Sequence, residues 1–288
     1  MQSSLGTEPL NAIAERAPRR SGPQPWAWVL ALVMAILGIY AVFIEPYRVQ
    51  TTHYRIQGAV TAPLKIAQLT DLHTHGIGPR ERKMFAVLAA ERPDVIVITG
   101  DSLGGYGGTY QECEKVYARL HAPLGVWFVR GNWENTHPIR PLFREREFYE
   151  HAGVHFLLNE NAELRPDVWL VGLNDPSSGP VRLDAALSGV PASAYKIAIF
   201  HAPGYFGHIA GRVNLVLAGH THGGQVRIPF IKPFWLPKDC GPYLAGWYQE
   251  DGSSMYVNRG LGWSTLPIRF LCRPEIAIVT ITPSAGAA

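Results

Sequence analysis

The sequence is poor in the residues that build thiolate centres, disulfide frameworks and nucleic-acid footprints. Its 288 residues include three cysteines, and none of them has the Cys-x-x-Cys spacing of a metal or redox site. Charged residues make up 17% of the chain, the formal net charge is +3, and no basic run follows the N-terminal arginines. These absences argue against a thiolate metal site and against nucleic acid as a partner. The odd cysteine count also argues against a purely disulfide-based framework.

One long apolar run stands out from this ordinary composition. Residues 26–44, WAWVLALVMAILGIYAVFI, carry no charge over 19 residues, which is enough for a helix that spans a bilayer. Trp26, Trp28 and Tyr40 lie near its ends, as interfacial aromatic residues do. A buried core helix and a cleaved signal peptide are the alternatives, but the run is apolar on every face and no small-x-small cleavage site follows it. We expect an uncleaved, single-pass membrane anchor.

The anchor sets the expected organisation of the chain. The expected parts are a polar, disordered N-terminus over 1–25, the anchor over 26–44, a linker over 45–63 and one large domain over 64–288. Arg16, Arg19 and Arg20 precede the anchor, while Arg48 and Arg55 follow it closely. This bias favours the N-terminus inside the cell and the domain on the outer side of the membrane, periplasmic or extracellular.

Apolar, β-branched runs alternate with helical patterns from residue 64 onward, which predicts an α/β fold with buried sheets. The predicted strands cover 64–70, 94–99, 125–130, 168–173, 195–200, 214–219 and 276–281. Helical patterns lie between strands at 80–91 and 111–121. The segment 226–247 is rich in proline, glycine and aromatic residues and is predicted to be a loop.

Five predicted strands are each followed directly by side chains that can bind a metal ion. In chain order these side chains are Asp71 and His73, Asp101, Asn132, His201, and finally His220 and His222. Because α/β sheets build their sites at the carboxyl ends of strands, we expect these residues to converge. A single histidine or a Gly-Asp step is most often structural. The specific signal is therefore the ordered series D-x-H, GD, GN, H and GHTH.

The donor set predicts two divalent transition-metal ions as cofactors. Two carboxylates, one amide and four imidazoles without a thiolate fit manganese, iron or zinc better than calcium, and manganese is the ion we expect to support activity in vitro. Asp101 has two oxygens and is expected to bridge ions about 3.5–4 Å apart. Such a site keeps a net positive charge, which suits a phosphate group and a hydroxide.

The motifs DLH, GD, GN, FHAP and GHTHGGQ resemble those of the calcineurin-like metallophosphoesterase superfamily from Leu64 to the C-terminus. The flanking segments IEPYRV, GHTHGGQVRIP and YVNRGLGWSTLPIRFLCRPEIAIVTI are similar to its membrane-associated bacterial phosphodiesterase branch (YaeI/YkuE-like). The resemblance implies a two-sheet α/β/β/α sandwich. It also implies two metal positions, one held by Asp71, His73, Asp101 and His222 and the other by Asp101, Asn132, His201 and His220.

The activity implied by the resemblance is hydrolysis of a phosphodiester or pyrophosphate bond by a metal-bridging hydroxide. Asp101, Asn132 and His201 are expected to act in catalysis. The expected partners are the membrane and a phosphoester substrate, either a small molecule or a lipid, including a lipid-linked or nucleotide-sugar compound. A metal-dependent amidohydrolase shares an H-x-H-like signal, but it would need a β/α barrel and a metal-bridging lysine.

One position departs from the family pattern. The superfamily usually has histidine after the Gly-Asn pair, whereas this chain has Trp133 followed by Glu134. An indole offers one N–H donor and no titrating proton, so it cannot be a general acid. Three hypotheses follow. In the first, Trp133 packs beneath the loop, and His75, His137 or Glu134 donates the proton. In the second, the leaving group is a phosphate ester that needs no acid, as in the related UDP-diacylglucosamine pyrophosphatases, which have arginine at this position; in the third, the protein binds metal with weak or no turnover.

Substrate contacts are the least constrained part of the sequence. Trp133, Arg269 and Arg273 are the candidate substrate-binding residues, since a guanidinium matches phosphate oxygens. The alternative for the arginines is a salt bridge near the last strand, for instance with Glu275. The aromatic loop 228–237, IPFIKPFWLP, either forms a lipid-binding edge or packs on its own side chains.

Overall fold

The computed structural model describes residues 24–103, 108–136 and 142–284. Most of the segment expected to be disordered, with its three arginines, lies outside these residues, as does His137. The chain divides into two compact units, residues 1–38 and residues 39–288. Helix α1 (Pro25–Ile39) ends at this division, and it buries none of its residues.

Residues Pro25–Tyr47 form the one helix in the described part of the chain that is long and apolar enough to cross a membrane. After α1 the helix continues as a π-helical turn (Tyr40–Ile44) and a 3-10 turn (Glu45–Tyr47). The expected anchor at 26–44 thus corresponds to one continuous helical segment. A helix that is apolar on every face and exposed is typical of a membrane span rather than of a core element.

The first sheet has six strands in the order β1-β12-β2-β3-β4-β5. Its strands are β1 (Gln50–Gly58), β2 (Leu64–Leu69), β3 (Val95–Thr99), β4 (Val126–Val129), β5 (His155–Phe156) and β12 (Glu275–Pro283). The four strands from β2 to β5 are parallel, whereas β12 pairs with β2 antiparallel and with β1 parallel. Every residue of β3 is buried, as its run VIVIT requires of a central parallel strand.

The second sheet also has six strands, in the order β10-β11-β9-β8-β7-β6. Its strands are β6 (Glu160–Arg165), β7 (Val168–Gly172), β8 (Tyr195–Ile199), β9 (Leu215–Ala218), β10 (Gly246–Glu250) and β11 (Ser253–Val257). The central strands β7, β8, β9 and β11 are parallel, and antiparallel strands flank them on both edges.

The outer faces of both sheets are covered by helices α2 (Pro79–Glu91), α3 (Tyr110–Tyr117), α5 (Leu142–His151), α6 (Leu183–Leu187) and α7 (Phe206–Ile209). The short helix α4 (Asn132–Thr136) follows the carboxyl end of β4. Met84 of α2 and Val116 of α3 pack on the first sheet, while Leu183 of α6 and Ile209 of α7 pack on the second. A separate apolar cluster fills the space between the two sheets.

These layers confirm the predicted α/β/β/α sandwich and exclude a single β/α barrel. The two sheets pack face to face because strands of each alternate apolar side chains toward the other, for instance Val97 and Val129 toward Leu170 and Leu217. The amidohydrolase alternative required a barrel, so the fold removes it.

The segment expected to be a linker, 45–63, contains structure. Strand β1 pairs with β12 over its full length, from Gln50 opposite Glu275 to Gly58 opposite Pro283. Thr51, Thr52, Tyr54 and Ile56 supply the β-branched and aromatic residues that favour a strand. The run is polar because β1 is an edge strand with a largely solvated face, and that polarity made it resemble a linker.

Candidate metal centre

The seven predicted ligands converge at the carboxyl ends of strands from both sheets. Asp71 and His73 follow β2, Asp101 follows β3, Asn132 follows β4, His201 follows β8, and His220 and His222 follow β9. Six of them are buried, and Asn132 is half-buried. The site therefore lies where the edges of the two sheets meet, which is the position that the strand-end pattern predicted.

The first group of ligand atoms comprises Asp71, His73, Asp101 and His222. One ligand atom from each of these residues lies within 4.8 Å of the others. The Nε2 atoms of His73 and His222 are 3.3 Å apart, and His222 Nε2 is 3.3 Å from Asp71 Oδ1. Two carboxylates and two imidazoles at this spacing form a nitrogen and oxygen site that could hold one metal ion.

The second group comprises Asp101, His201 and His220, again with one ligand atom of each within 4.8 Å of the others. His201 Nε2 lies 3.1 Å from Asp101 Oδ2, 3.0 Å from His220 Nδ1 and 3.2 Å from Asn132 Oδ1. The amide oxygen of Asn132 thus completes this group. Asp101 belongs to both groups.

Three of the four histidines point their other ring nitrogen at a backbone carbonyl oxygen. These contacts are His73 Nδ1 to Leu103 at 2.9 Å, His201 Nδ1 to Thr99 at 2.7 Å and His220 Nε2 to Lys238 at 2.6 Å. In a neutral ring, an N–H that donates to a carbonyl leaves the opposite nitrogen with its lone pair free. In each case the opposite nitrogen is the one facing the other predicted ligands, as a metal ligand requires; on His201 this nitrogen shares a proton with Asp101 in the metal-free protein.

Asp71 shows that these residues fit a cation. Its Oδ2 accepts hydrogen bonds from Thr70 Oγ1 at 2.9 Å and from the backbone N–H of His220 at 3.0 Å. Its Oδ1 is buried and has no hydrogen-bond partner in the described part of the chain. A buried carboxylate oxygen that faces imidazole lone pairs is costly unless a positive ion lies between them.

Burial keeps three of the four histidines neutral, namely His73, His220 and His222. Burial lowers the pKa of His73 and of His220 to about 3, and it also lowers the pKa of His222. Burial disfavours the charged form of His201 as well, but the adjacent Asp101 carboxylate raises its pKa well above the usual value. The metal-free protein therefore holds a proton on the Asp101–His201 pair, and a metal ion must displace it.

The backbone at the site is held in an unusual conformation. Five ligands have positive φ: Asp71 at 49°, His73 at 39°, Asp101 at 55°, His220 at 73° and His222 at 51°. Non-glycine residues rarely adopt this region, and such strain is found where a functional geometry requires it. The glycine before Asn132 is required for a different reason, because a Cβ on Gly131 would collide with Asp101 Oδ1.

Trp133 lies beside the first group. Its backbone N–H donates to Asp101 Oδ1 at 2.8 Å, and its ring is edge-on to the ring of His73 with centroids 5.3 Å apart. The side chain is half-buried and lines the cavity that opens onto the ligands. The indole therefore occupies the wall of the cavity where the family pattern has a histidine.

Two of the alternative proton donors are placed away from the cavity. Glu134 is fully buried, and its two oxygens accept hydrogen bonds from the backbone N–H groups of Gly131, Asp101 and Ser102. It holds the loops after β3 and β4 together. His75 is exposed and lines a separate depression beside Tyr47.

The structure corrects the expected substrate contact of Arg269. This guanidinium is fully buried and donates to the carbonyl oxygens of Arg259, Gly260, Gly262 and Cys272. With its donors directed at carbonyls, it has no face toward the cavity. The sequence signal was ambiguous because arginine is suited both to phosphate and to clusters of carbonyl oxygens.

Arg273 is exposed and does not line the cavity at the ligands. The expected salt bridge partner of these arginines, Glu275, instead pairs with Arg259, with Nε and Oε2 2.9 Å apart. Neither arginine predicted to bind substrate therefore reaches the metal centre.

The cavity at the ligands has a volume of about 370 Å³. Its walls also include residues that no motif in the sequence indicates: Asp175, Ser177, Lys238, Ser264 and Thr265. Asp175 is buried, and its Oδ1 has no hydrogen-bond partner in the described ranges. It follows β7, so the strand-end rule that identified the ligands also applies to it.

Comparison with known proteins agrees with this geometry. A family profile described as Calcineurin-like phosphoesterase matches residues 64–224. The chain is 30% identical over 258 residues to the metallophosphoesterase YkuE of Bacillus subtilis, covering 84% of this chain and 88% of that protein. It is 25% identical over 285 residues to a zebrafish (Danio rerio) transmembrane protein with metallophosphoesterase domain, covering 88% of this chain and 62% of that protein.

A solved structure, the Escherichia coli phosphoesterase YfcE, matches with a TM-score of 0.31 and 16% identity over 69% of this chain and 80% of that one. The family profile covers more than half of the chain, and it includes every strand end that supplies a ligand. The buried Asp/His cluster lies within the same residues. The chain therefore belongs to the calcineurin-like phosphoesterase family and is a metal-dependent phosphoester hydrolase.

Proposed function

We propose that the protein is a membrane-anchored phosphoesterase with two metal ions, which hydrolyses a phosphodiester or pyrophosphate bond. The observation that carries this proposal is the position of Asp101, which belongs to both groups of ligand atoms. One carboxylate between two nitrogen-rich groups is the arrangement by which a protein holds two ions side by side.

The seven candidate ligands form two metal positions that share Asp101. Asp71, His73, Asp101 and His222 would hold one ion, and Asp101, Asn132, His201 and His220 would hold the other. Two divalent ions at these positions supply Lewis acidity toward the phosphoryl oxygens and a nucleophile formed from water at neutral pH. The carbonyl partners of His73, His201 and His220 orient the rings, and the cavity walls restrict how a phosphate approaches.

The nature of Trp133 supports a substrate with a good leaving group. The indole carries no titrating proton, and Glu134 is committed to three backbone N–H groups. A leaving group that is itself a phosphate ester departs as a stable anion without a general acid. We therefore favour a pyrophosphate-type or activated diester bond, as in a nucleotide-sugar or lipid-linked substrate.

The anchor supports an envelope location for this activity. Residues Pro25–Tyr47 are long and apolar enough to span a bilayer, and α1 buries none of its side chains. The basic residues that precede the span favour an inner N-terminus, with the metal centre on the outer side. A tethered domain meets substrates within or close to the membrane at a high effective concentration.

The test is the substitution Asp101→Asn, assayed on bis(p-nitrophenyl) phosphate with added Mn²⁺. We expect kcat/KM to fall at least about 10³-fold, since losing several kcal/mol of charge stabilisation costs a factor of ten for each 1.4 kcal/mol or so. The matched control is Asp94→Asn, a half-buried aspartate at the opposite end of β3 whose Oδ2 accepts from Lys65 N. Equal turnover by wild type and Asp101→Asn would end the proposal.

Trp133 also favours a second candidate function, a metal-binding protein of this fold with weak or no turnover. This second candidate rests on the same observation, the replacement of the family's histidine by tryptophan at position 133. The two candidates differ in the effect of restoring a titrating group at this position.

A further inference from the structure

The exposed large apolar side chains of the domain gather in three segments. Within the described residues from 39 onward, they occur only at 39–47, 228–235 and 266–271. In the middle segment Phe230 is fully exposed, Phe234 is 76% exposed and Trp235 is 61% exposed. Side chains this exposed are not packed on their own loop, so the alternative of a self-packed aromatic loop does not hold.

Hydrogen bonds join the three segments into one surface. The backbone N–H of Arg269 donates to the carbonyl oxygen of Ala41, and those of Leu271 and Cys272 donate to the buried carboxylate of Glu45. The loop 266–271 is bound in turn to the aromatic loop, because the N–H of Arg227 donates to the carbonyl oxygen of Phe270 at 2.8 Å. We call this surface, formed by 39–47, 226–238 and 263–273, the apolar face.

All charged side chains in the two loops of the apolar face, 226–238 and 263–273, are basic. Residues 226–238 and 263–273 contain five basic side chains and no aspartate or glutamate. The basic residues are Arg227, Lys232, Lys238, Arg269 and Arg273, of which Arg269 is buried. Aromatic and aliphatic tips flanked by lysine and arginine suit the boundary between headgroups and acyl chains of a bilayer with anionic lipids.

The position of the face along the chain identifies its occupant. Residues 40–47 are the last turns of the candidate span, and they are hydrogen-bonded into the apolar face itself. A surface built around the point where a span leaves the bilayer meets lipid headgroups first. A second protein chain would have to displace that lipid.

We propose that the apolar face docks on the bilayer as a second membrane contact, with Phe230, Phe234 and Leu271 inserted at the boundary between headgroups and acyl chains. This inference rests on the membrane anchoring in the proposed function. Trp235 and Lys238 of the same loop, with Ser264 and Thr265 of its neighbour, line the metal-site cavity. Docking therefore brings the cavity to the height of lipid phosphates, and the substrate class that fits is a phosphodiester or pyrophosphate carried on a lipid.

The test measures depth rather than activity. The full chain carrying Phe230→Cys is labelled with a nitroxide at the new cysteine. The labelled protein is then reconstituted into vesicles of phosphatidylcholine and phosphatidylglycerol. The matched control is Ala192→Cys, an exposed residue before β8, at the sheet edge opposite the metal centre. The three native cysteines are buried and offer no competing site for the label.

We expect collisions with oxygen to dominate at position 230 and collisions with water-soluble nickel chelate to dominate at position 192. Equal access of the nickel chelate to both positions would overturn the inference. So would spin–spin broadening at position 230 that disappears on dilution with unlabelled protein, because it would mean that a second copy covers the face. Turnover of a soluble diester by the same vesicles, together with co-flotation of protein and lipid, reports separately on the proposed function and its anchor.

Discussion

Among single residues, Trp133 in the wall of the metal centre is unusual because it cannot act as a general acid. Its N–H groups can donate, but no proton on it titrates in the range of enzyme activity. Its backbone N–H is already bound to Asp101, the ligand shared by both groups. The residue therefore fixes the carboxylate that both groups share, while its ring shapes the cavity.

Restoring a titrating side chain by Trp133→His tests the interpretation of this position. We expect turnover of diesters with poor alcohol leaving groups to rise about 10²-fold or more, since a general acid contributes about 10²–10⁴. Turnover of pyrophosphate bonds should change little, because their leaving group needs no proton. The measurement is steady-state kcat of wild type and Trp133→His on one substrate of each type. An equal gain on both substrates would show that Trp133 weakens catalysis in general rather than selecting substrates with good leaving groups.

The Asp101–His201 pair predicts how metal binding depends on pH. The pKa of His201 is raised in the metal-free protein, so its proton is present at neutral pH and is lost as pH rises through that pKa. A metal ion competes with this proton, so Mn²⁺ affinity should increase with pH. Calorimetric titration in buffers of different ionisation enthalpy should show release of about one proton at neutral pH. A binding enthalpy independent of the buffer contradicts this.

At the scale of elements, the loop after β11 carries the packing that supports Asp71. The N–H of Gly262 donates to the carbonyl oxygen of Asp71 at 2.6 Å, and a Cβ on Gly260 would lie 2.7 Å from the Cβ of Asp71. Arg269 binds this loop through the carbonyl oxygens of Gly260 and Gly262. One buried guanidinium thus holds the loop against the first metal position.

Arg269→Ala should therefore reduce stability rather than substrate affinity. Several buried carbonyl oxygens lose their donor, and we expect a loss of about 3 kcal/mol or more in the free energy of unfolding. The exposed Arg273→Ala is the matched control and should stay within about 0.5 kcal/mol of wild type. Denaturant unfolding measures both variants, and an unchanged Arg269→Ala with a raised KM would restore the role of substrate contact.

The elements were predictable to different degrees for physical reasons. Buried central strands such as β3 and β9 are continuous apolar runs, so their positions and the ligands behind them could be predicted from sequence. Edge strand β1 is polar, so it resembled a linker. Asp175 follows β7 by the same rule as the ligands, but it is not part of the D-x-H to GHTH series and so was missed. The structural role of Arg269 could not be predicted from sequence, because its carbonyl partners come together only in the folded chain.

At the scale of the whole molecule, the metal centre depends on the packing of two sheets. Asp71, His73, Asp101 and Asn132 come from the first sheet, and the other three histidines come from the second. The apolar cluster between the sheets fixes the distance between these two halves of the site. The carboxylate of Asp101 from one sheet can meet the imidazoles of the other only if that packing is maintained.

Anomalous X-ray diffraction from crystals grown with Mn²⁺ would show whether this site binds two ions. We expect two anomalous peaks about 3.5–4 Å apart. One should lie among Asp71, His73, Asp101 and His222, and the other among Asp101, Asn132, His201 and His220. A single peak, or peaks remote from Asp101, would contradict this expectation.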